Sequence, residues 1–367
     1  MNAFSCKWIL LGNVKAITLK TKKRKKMKAL VYEGPEKINV REVPLKEIKS
    51  GEARIKVTYC GVCGSDIGIF SGKHPRAKAP LIMGHEFVGT IEDINGDTKG
   101  LKVGDRVVPF PLISCGTCYG CRTGNSHVCD TLKLIGIDMD GGMAEYVNCN
   151  TDVLFKIPDE VSDKVAALIE PLAVGVHAIH RSGFKPLDTV AIMGAGPIGV
   201  LIGIVLKNAG ASKIVISDIS QPRLDLCKRL GFETVNETEE PLYEYVSRET
   251  KGECVNIVYE CTGVSQAAAD MTKVICTDGM VCLVGVHKSP REMNLGDMHY
   301  RELNMTATRV YTKEEFKDTV EYIEKIKDDL ELLVTHKVDL CNSEKIFDII
   351  ADPKENAMKV VINCREK

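Results

Sequence analysis

Residues 189–218 leave the chain little choice of architecture. The run Val190-Ala191-Ile192-Met193 is short, apolar and unpunctuated, as a strand buried on both faces of a parallel sheet must be. Gly194-Ala195-Gly196-Pro197-Ile198-Gly199 follows at once. Residues 200–206 are then apolar over a length that suits a helix packed on the sheet, with Gly210 placed to end it. A second strand at 213–217 runs out onto Asp218. This order predicts a βαβ unit of a doubly wound parallel sheet, hence an α/β fold class.

Each glycine has a mechanical task. Gly194 permits the tight turn, Gly196 lets a pyrophosphate approach the backbone, and Gly199 lets helix and strand pack closely. Pro197 and Ile198 open the helix, whose unpaired N–H groups and dipole favour phosphate. Asp218, at the tip of the second strand, can accept hydrogen bonds from an adenosine ribose and would repel a 2′-phosphate. The expected cofactor is therefore NAD, not NADP, with Arg223 beside the adenine or ribose.

At 367 residues the chain is long enough for two domains. A net charge of −1 gives no reason to expect nucleic acid, and no apolar run is long enough to cross a bilayer. Its 15 cysteines are clustered as C-x-x-C, which argues for metal in a reducing compartment, with the cytoplasm as the expected location. Residues 1–26 read as a disordered extension, dispensable for activity: Trp8-Ile9-Leu10-Leu11 is too short for a signal-peptide core, and the basic cluster 22–26 follows it instead of preceding it.

Residues 27–176 read as short strands separated by Gly and Pro turns, with strands expected at 27–32, 53–57, 87–91 and 103–108. Alternating αβ units occupy 177–311, with further parallel strands at 255–259 and 280–284 and an apolar edge strand at 303–308. Residues 314–333 have helical spacing, and a last strand at 359–362 has no place in a six-stranded doubly wound sheet. Residues 312–367 are therefore expected to return to the first domain, leaving the nucleotide domain inserted within it.

Two constellations can hold metal. Cys115, Cys118, Cys121 and Cys129 offer four thiolates within fifteen residues, a spacing suited to a closed tetrahedral zinc site; an iron–sulfur cluster would use similar ligands. The second set is dispersed. Cys63 lies in Val62-Cys63-Gly64-Ser65-Asp66, His85 is followed by Glu86, and Glu170 is a lone charge in an apolar segment. Beside a nucleotide cradle, one thiolate, one imidazole and one carboxylate make an open three-ligand zinc site.

Together these motifs resemble the zinc-dependent medium-chain alcohol dehydrogenases, in particular the sorbitol (polyol), sugar-acid and L-threonine dehydrogenase branch. The resemblance runs from Met27 to the C-terminus and implies a GroES-like β-rich catalytic domain with an inserted Rossmann domain. It implies two zinc ions per subunit, one structural in the cysteine loop and one catalytic on Cys63, His85 and Glu170, the last direct or through water, with Glu86 able to approach the metal. It also implies that Asp66 holds the His85 ring, that Ser65 takes the substrate proton, and that Thr262, Val284 and Val286 contact the nicotinamide half of NAD. Two positions depart from the branch. Gly68 stands where many members carry a histidine, and Val310 replaces the tyrosine after the substrate-touching Arg309. The expected activity is oxidation of a secondary alcohol in a polyol or sugar acid by a homodimer or homotetramer, with no nucleic-acid or membrane partner. An L-threonine dehydrogenase and a non-catalytic NAD-binding sensor are the rival expectations.

Overall fold

A computed structural model describes residues 25–365. The extension expected at 1–26 lies outside the described residues except for Lys25 and Lys26, and Lys26 already opens the strand Lys26–Gly34.

Thr189–Met193 is an inner strand of a six-stranded parallel sheet. Lys213–Asp218 and then Glu233–Asn236 lie on one side of it; Val255–Glu260, Ile275–Leu283 and Asn304–Ala307 follow on the other. The order is that of a doubly wound sheet, with the crevice at the carboxyl ends of Thr189–Met193 and Val255–Glu260. Because side chains alternate across a strand, Val190 and Ile192 pack into one hydrophobic cluster with Val200 and Ile204, while Ala191 and Met193 pack into another with Val246 and Met271. Both faces of the sheet are thus covered by helices, which accounts for the unbroken apolar run. The helix Pro197–Ala209 ends at Gly210, whose φ of 92° is open to glycine at little cost.

The second sheet has seven strands and is mainly antiparallel. Its central strand, Glu52–Gly61, pairs along its length with Glu86–Asn95. Its other edge is shared: Tyr146–Asn150 takes the first half and the C-terminal strand Lys359–Asn363 takes the end, with Val361 opposite Gly61. Lys359–Asn363 runs parallel to Val334–Asp339, so the end of the chain completes the sheet begun by residues 52–95. The helix Ile169–Ser182 connects the two sheets and crosses position 176.

Two local expectations are corrected. The strand expected at 103–108 begins only at Arg106, because Val103 is 63% exposed and Gly104 turns with φ 94°. The helical run at 314–333 is broken into Lys313–Tyr322, a 3₁₀ turn Ile323–Ile326 and Lys327–Glu331. The tighter turn eclipses positions three apart, and it buries Ile323 and Ile326 together. Among the described residues no helix is long and apolar enough to cross a membrane.

Candidate active site

Cys63 follows the strand Glu52–Gly61 and is the N-cap of the helix Gly64–Phe70, with extended backbone (φ −100°, ψ 159°). The Asp66 carboxylate accepts the Cys63 N–H at 2.9 Å, closing a capping box that fixes how the thiol leaves the backbone. Gly61 is paired with Glu86 across the antiparallel ladder, so His85 and Glu86 arrive at the same end from the neighbouring strand. One ligand atom from each of Cys63, His85 and Glu86 lies within 4.8 Å of the others. His85 is buried, and among the described residues neither its Nδ1 nor the buried Ser65 hydroxyl has a hydrogen-bond partner. Burial alone would push the His85 pKa down, but the Cys63 sulfur and the Glu170 and Asp66 carboxylates outweigh this and hold it well above its usual value. A thiol, an imidazole and a carboxylate gathered in a pocket with unpaired polar atoms fit a zinc ion.

Glu170 stands outside that trio of donors. It is buried in the first turn of Ile169–Ser182, and its Oε1 accepts the Tyr311 hydroxyl at 2.6 Å. Burial raises the pKa of Glu170, with His85 acting against it. Asp66, expected to hold the His85 ring, accepts the Cys63 N–H through Oδ2, its buried Oδ1 has no hydrogen-bond partner among the described residues, and its charge acts on His85. Glu86 is ion-paired with Lys359, which the returning C-terminal strand brings in. Gly61 leaves room for that pair: a Cβ there would lie 2.2 Å from Glu86 Oε2 and 3.2 Å from Lys359 Cε. Tyr311 and Lys359 were not singled out from the sequence. Lys359 had a signal, a lysine opening the apolar run Val360-Val361-Ile362, whereas Tyr311 had none. Where position 68 lacks a histidine, His74 is nearby: its backbone N–H donates to Gly68 O at 3.0 Å, and a Cβ on Gly68 would lie 4.0 Å from its own.

The four loop cysteines also converge, their sulfurs within 4.8 Å of one another. Cys118 and Cys121 sulfurs are 3.4 Å apart and those of Cys115 and Cys121 4.0 Å, which brackets the ~3.8 Å edge of a tetrahedron with ~2.3 Å Zn–S bonds. Backbone N–H groups of Thr117 and Cys118 point at the Cys115 sulfur, and that of Cys115 at Cys129. Led by the Thr117 hydroxyl, hydrogen bonds hold the Cys115 thiol down to about 5. These are the contacts of thiolates, and the set fits a closed zinc site.

The nucleotide cradle follows the same logic. Gly194 has φ 108°, and a Cβ on it would sit 2.9 Å from Thr262 Cγ2; a Cβ on Gly199 would sit 2.0 Å from Gly194 O. Gly196, by contrast, faces open space at the start of the thirteen-residue helix Pro197–Ala209, a cradle that fits a pyrophosphate. Asp218 accepts from Ala195 N–H at 2.8 Å and Ser220 N–H at 2.9 Å, which ties the turn to the tip of the second strand. Two lone-pair positions of its carboxylate stay free for a ribose.

Residues 49–159 match the family described as the alcohol dehydrogenase GroES-like domain, and residues 197–325 the family described as zinc-binding dehydrogenase. The chain belongs to the zinc-binding alcohol dehydrogenases. It is 33% identical over 343 residues to a sorbitol dehydrogenase of Halalkalibacterium halodurans, covering 92% of this chain and 99% of that one. It is 32% identical over 339 residues to a 2-dehydro-3-deoxy-L-galactonate 5-dehydrogenase of Pseudoalteromonas atlantica, covering 92% and 99%. An alcohol dehydrogenase of Escherichia coli CFT073, solved in complex with NADH, superposes with a TM-score of 0.84 at 29% identity, covering 93% of this chain and 100% of that one. The expected family and its GroES-like plus Rossmann fold are thereby established.

In this zinc-binding alcohol dehydrogenase the loops expected at the nicotinamide are built around Glu260, which is fully buried. Glu260 Oε1 accepts from Thr262 N at 2.7 Å, Gly263 N at 2.9 Å and the Thr262 hydroxyl, while its carbonyl accepts from Val284 N at 2.9 Å and Gly285 N at 2.7 Å. His287 Nε2 lies 2.9 Å from Glu260 Oε2. Val286 is 80% exposed, an apolar side chain facing outward from this rim. Arg309, expected to touch substrate, is also outward: it is exposed and forms no ion pair among the described residues. Arg223 is half-buried in the first turn of Gln221–Arg229, just beyond Asp218. Val310 adopts φ 47°, and the turn it makes delivers Tyr311 inward.

Proposed function

We propose that the protein oxidises a secondary alcohol of a polyol or sugar acid, with NAD as acceptor and two zinc ions per subunit. The observation that carries this reading is the convergence of Cys63, His85 and Glu86 beside an unpartnered, buried Ser65 hydroxyl. Cys63, His85 and Glu86 would hold one zinc ion, with Glu170 outside that donor set; Cys115, Cys118, Cys121 and Cys129 would hold the other. When bound, the catalytic zinc supplies a Lewis acid that lowers the pKa of an alcohol, and NAD supplies the hydride acceptor.

The remaining roles belong to the chain. Ser65 receives the proton of the substrate hydroxyl. Lys359 fixes Glu86, and the Asp66 cap fixes Cys63, so both donors are set before substrate arrives. Asp218 accepts the ribose hydroxyls and turns away a 2′-phosphate, while Gly194, Gly196 and Gly199 admit the pyrophosphate. The Glu260 clip holds Thr262 and Val284 at the nicotinamide end, with Val286 following on the same loop. Arg309, exposed and without an ion-pair partner among the described residues, offers a planar charge to several hydroxyls or a carboxylate. Among the described residues Asn304–Ala307 leaves one edge unpaired, and pairing of that edge between copies would build a homodimer or homotetramer.

NADH production across polyols, aldonates, sugar phosphates and L-threonine tests the substrate class; turnover of L-threonine alone would replace this reading. Cys63→Ser should abolish turnover and leave calorimetric NAD affinity nearly unchanged. Retained activity would rule the site assignment out.

A further inference from the structure

Tyr311 is fully buried, and among the described residues Glu170 is the hydrogen-bond partner of its hydroxyl, at 2.6 Å. The ring cannot swing away. Phe110 packs edge-on against it at 5.8 Å and Phe316 stacks on it at 5.5 Å. The two carboxylates beside Cys63 and His85 are therefore treated differently by the fold. Glu86 is paired with Lys359 and lies within 4.8 Å of the thiol and imidazole donors, whereas Glu170 is anchored to the Tyr311 phenol and lies outside that set.

We propose that Tyr311 is a positioning residue: its hydrogen bond holds Glu170 back from the metal, so that Cys63, His85 and Glu86 are the protein donors and a coordination position stays open for substrate. This rests on the reading that these three residues hold a metal ion. A carboxylate relieved of that bond is free to turn toward the cation and fill the open position. Tyr311 thus decides between a closed, tightly held ion and an open, reactive one, although it touches neither donors nor substrate.

The test uses the full-length protein loaded with zinc. Ions are withdrawn by a chelator and followed with a colorimetric indicator, and the cysteine-loop zinc serves as an internal reference for folding. In Tyr311→Phe the more labile ion should leave on the order of tenfold more slowly, kcat should fall by a similar factor, and the loop zinc should be unaffected. The Co²⁺-substituted variant should show an altered visible spectrum. Adding Glu170→Gln should return the release rate to within about twofold of wild type, and Glu170→Gln alone should leave it there. Unchanged or faster release from Tyr311→Phe with both ions bound overturns the proposal, as does faster release from Glu170→Gln alone. If the wild-type protein takes up only the loop zinc, the underlying metal reading fails first, and the role of Tyr311 with it.

Discussion

Lys359 and Glu86 form an ion pair in which the two side chains are 3% and 1% exposed, and the Lys359 ammonium also donates to the Val62 carbonyl at 3.1 Å. Burial alone would lower the Lys359 pKa, but Glu86 and Cys63 more than offset this and hold it above the usual value. In protein stripped of metal, the state in which the following losses are measured, removing the ammonium leaves the buried Glu86 carboxylate uncompensated. Lys359→Met should therefore cost about 3–5 kcal/mol in urea unfolding, and Lys359→Met/Glu86→Gln distinctly less than the sum of the single changes. A loss below about 1 kcal/mol would show that the pair carries no net weight.

Gly61 is small because Glu86 and Lys359 occupy the space a side chain would take. Gly61→Ala should displace the Glu86 carboxylate, destabilise the fold by about 1–3 kcal/mol and reduce turnover while leaving NAD affinity unchanged. Thermal melts with calorimetric NAD titration check both halves of this expectation.

The four-cysteine loop should lose its ion independently of the other site. Cys115→Ser is expected to bring the metal content down by about one equivalent per subunit and to speed proteolysis of residues 115–129, because the backbone N–H groups of Thr117 and Cys118, now aimed at its sulfur, lose their thiolate. Elemental analysis and limited proteolysis read this directly; an unchanged zinc content would mean that three cysteines suffice.

Glu315 joins the two ends of the chain's middle: its carboxylate meets His177 Nδ1 at 2.8 Å, His180 Nδ1 at 3.0 Å and the Thr312 N–H at 2.8 Å. Burial would raise its pKa, but the histidines and the N–H reverse this and hold it well below the usual carboxylate range. The His180 pKa is raised, chiefly by its bond to Glu315. The Glu315 contribution is fully present above an unfolded-state pKa of about 4.3 and lost as pH falls toward the folded value; that of His180 is present below about 6.5 and lost as pH rises. Glu315→Gln should cost about 1–3 kcal/mol, most of it between about pH 5 and 6.5, with a small share from exposed His180. Melts at pH 4, 6 and 8 would show a flat difference if the network were inert.

The chemistry of the loop and of the glycine turn could be read without any fold, because every atom involved lies within one or two turns of chain. Spacing alone brings Cys115 near Cys118 and Gly194 near Gly199, and backbone sterics do the rest. Cys63, His85 and Glu170 were recognisable only as a set. Nothing local says that a thiol at 63 meets an imidazole at 85. That meeting follows from the register that puts Gly61 opposite Glu86, and register is a property of paired strands.

The division between Glu86 and Glu170 lay beyond reach of the sequence for the same reason. Which carboxylate faces the donors depends on Lys359, delivered by a strand that pairs with Glu52–Gly61 from the far end of the chain, and on Tyr311, turned inward after the last strand of the other sheet. Residue types and short spacings, set by covalent geometry, were enough to announce a nucleotide cradle, a four-thiolate loop and the family to which they belong. Only long-range packing could choose which buried charge is paired with an ammonium and which with a phenol, since that choice is made by neighbours in space that are strangers in sequence.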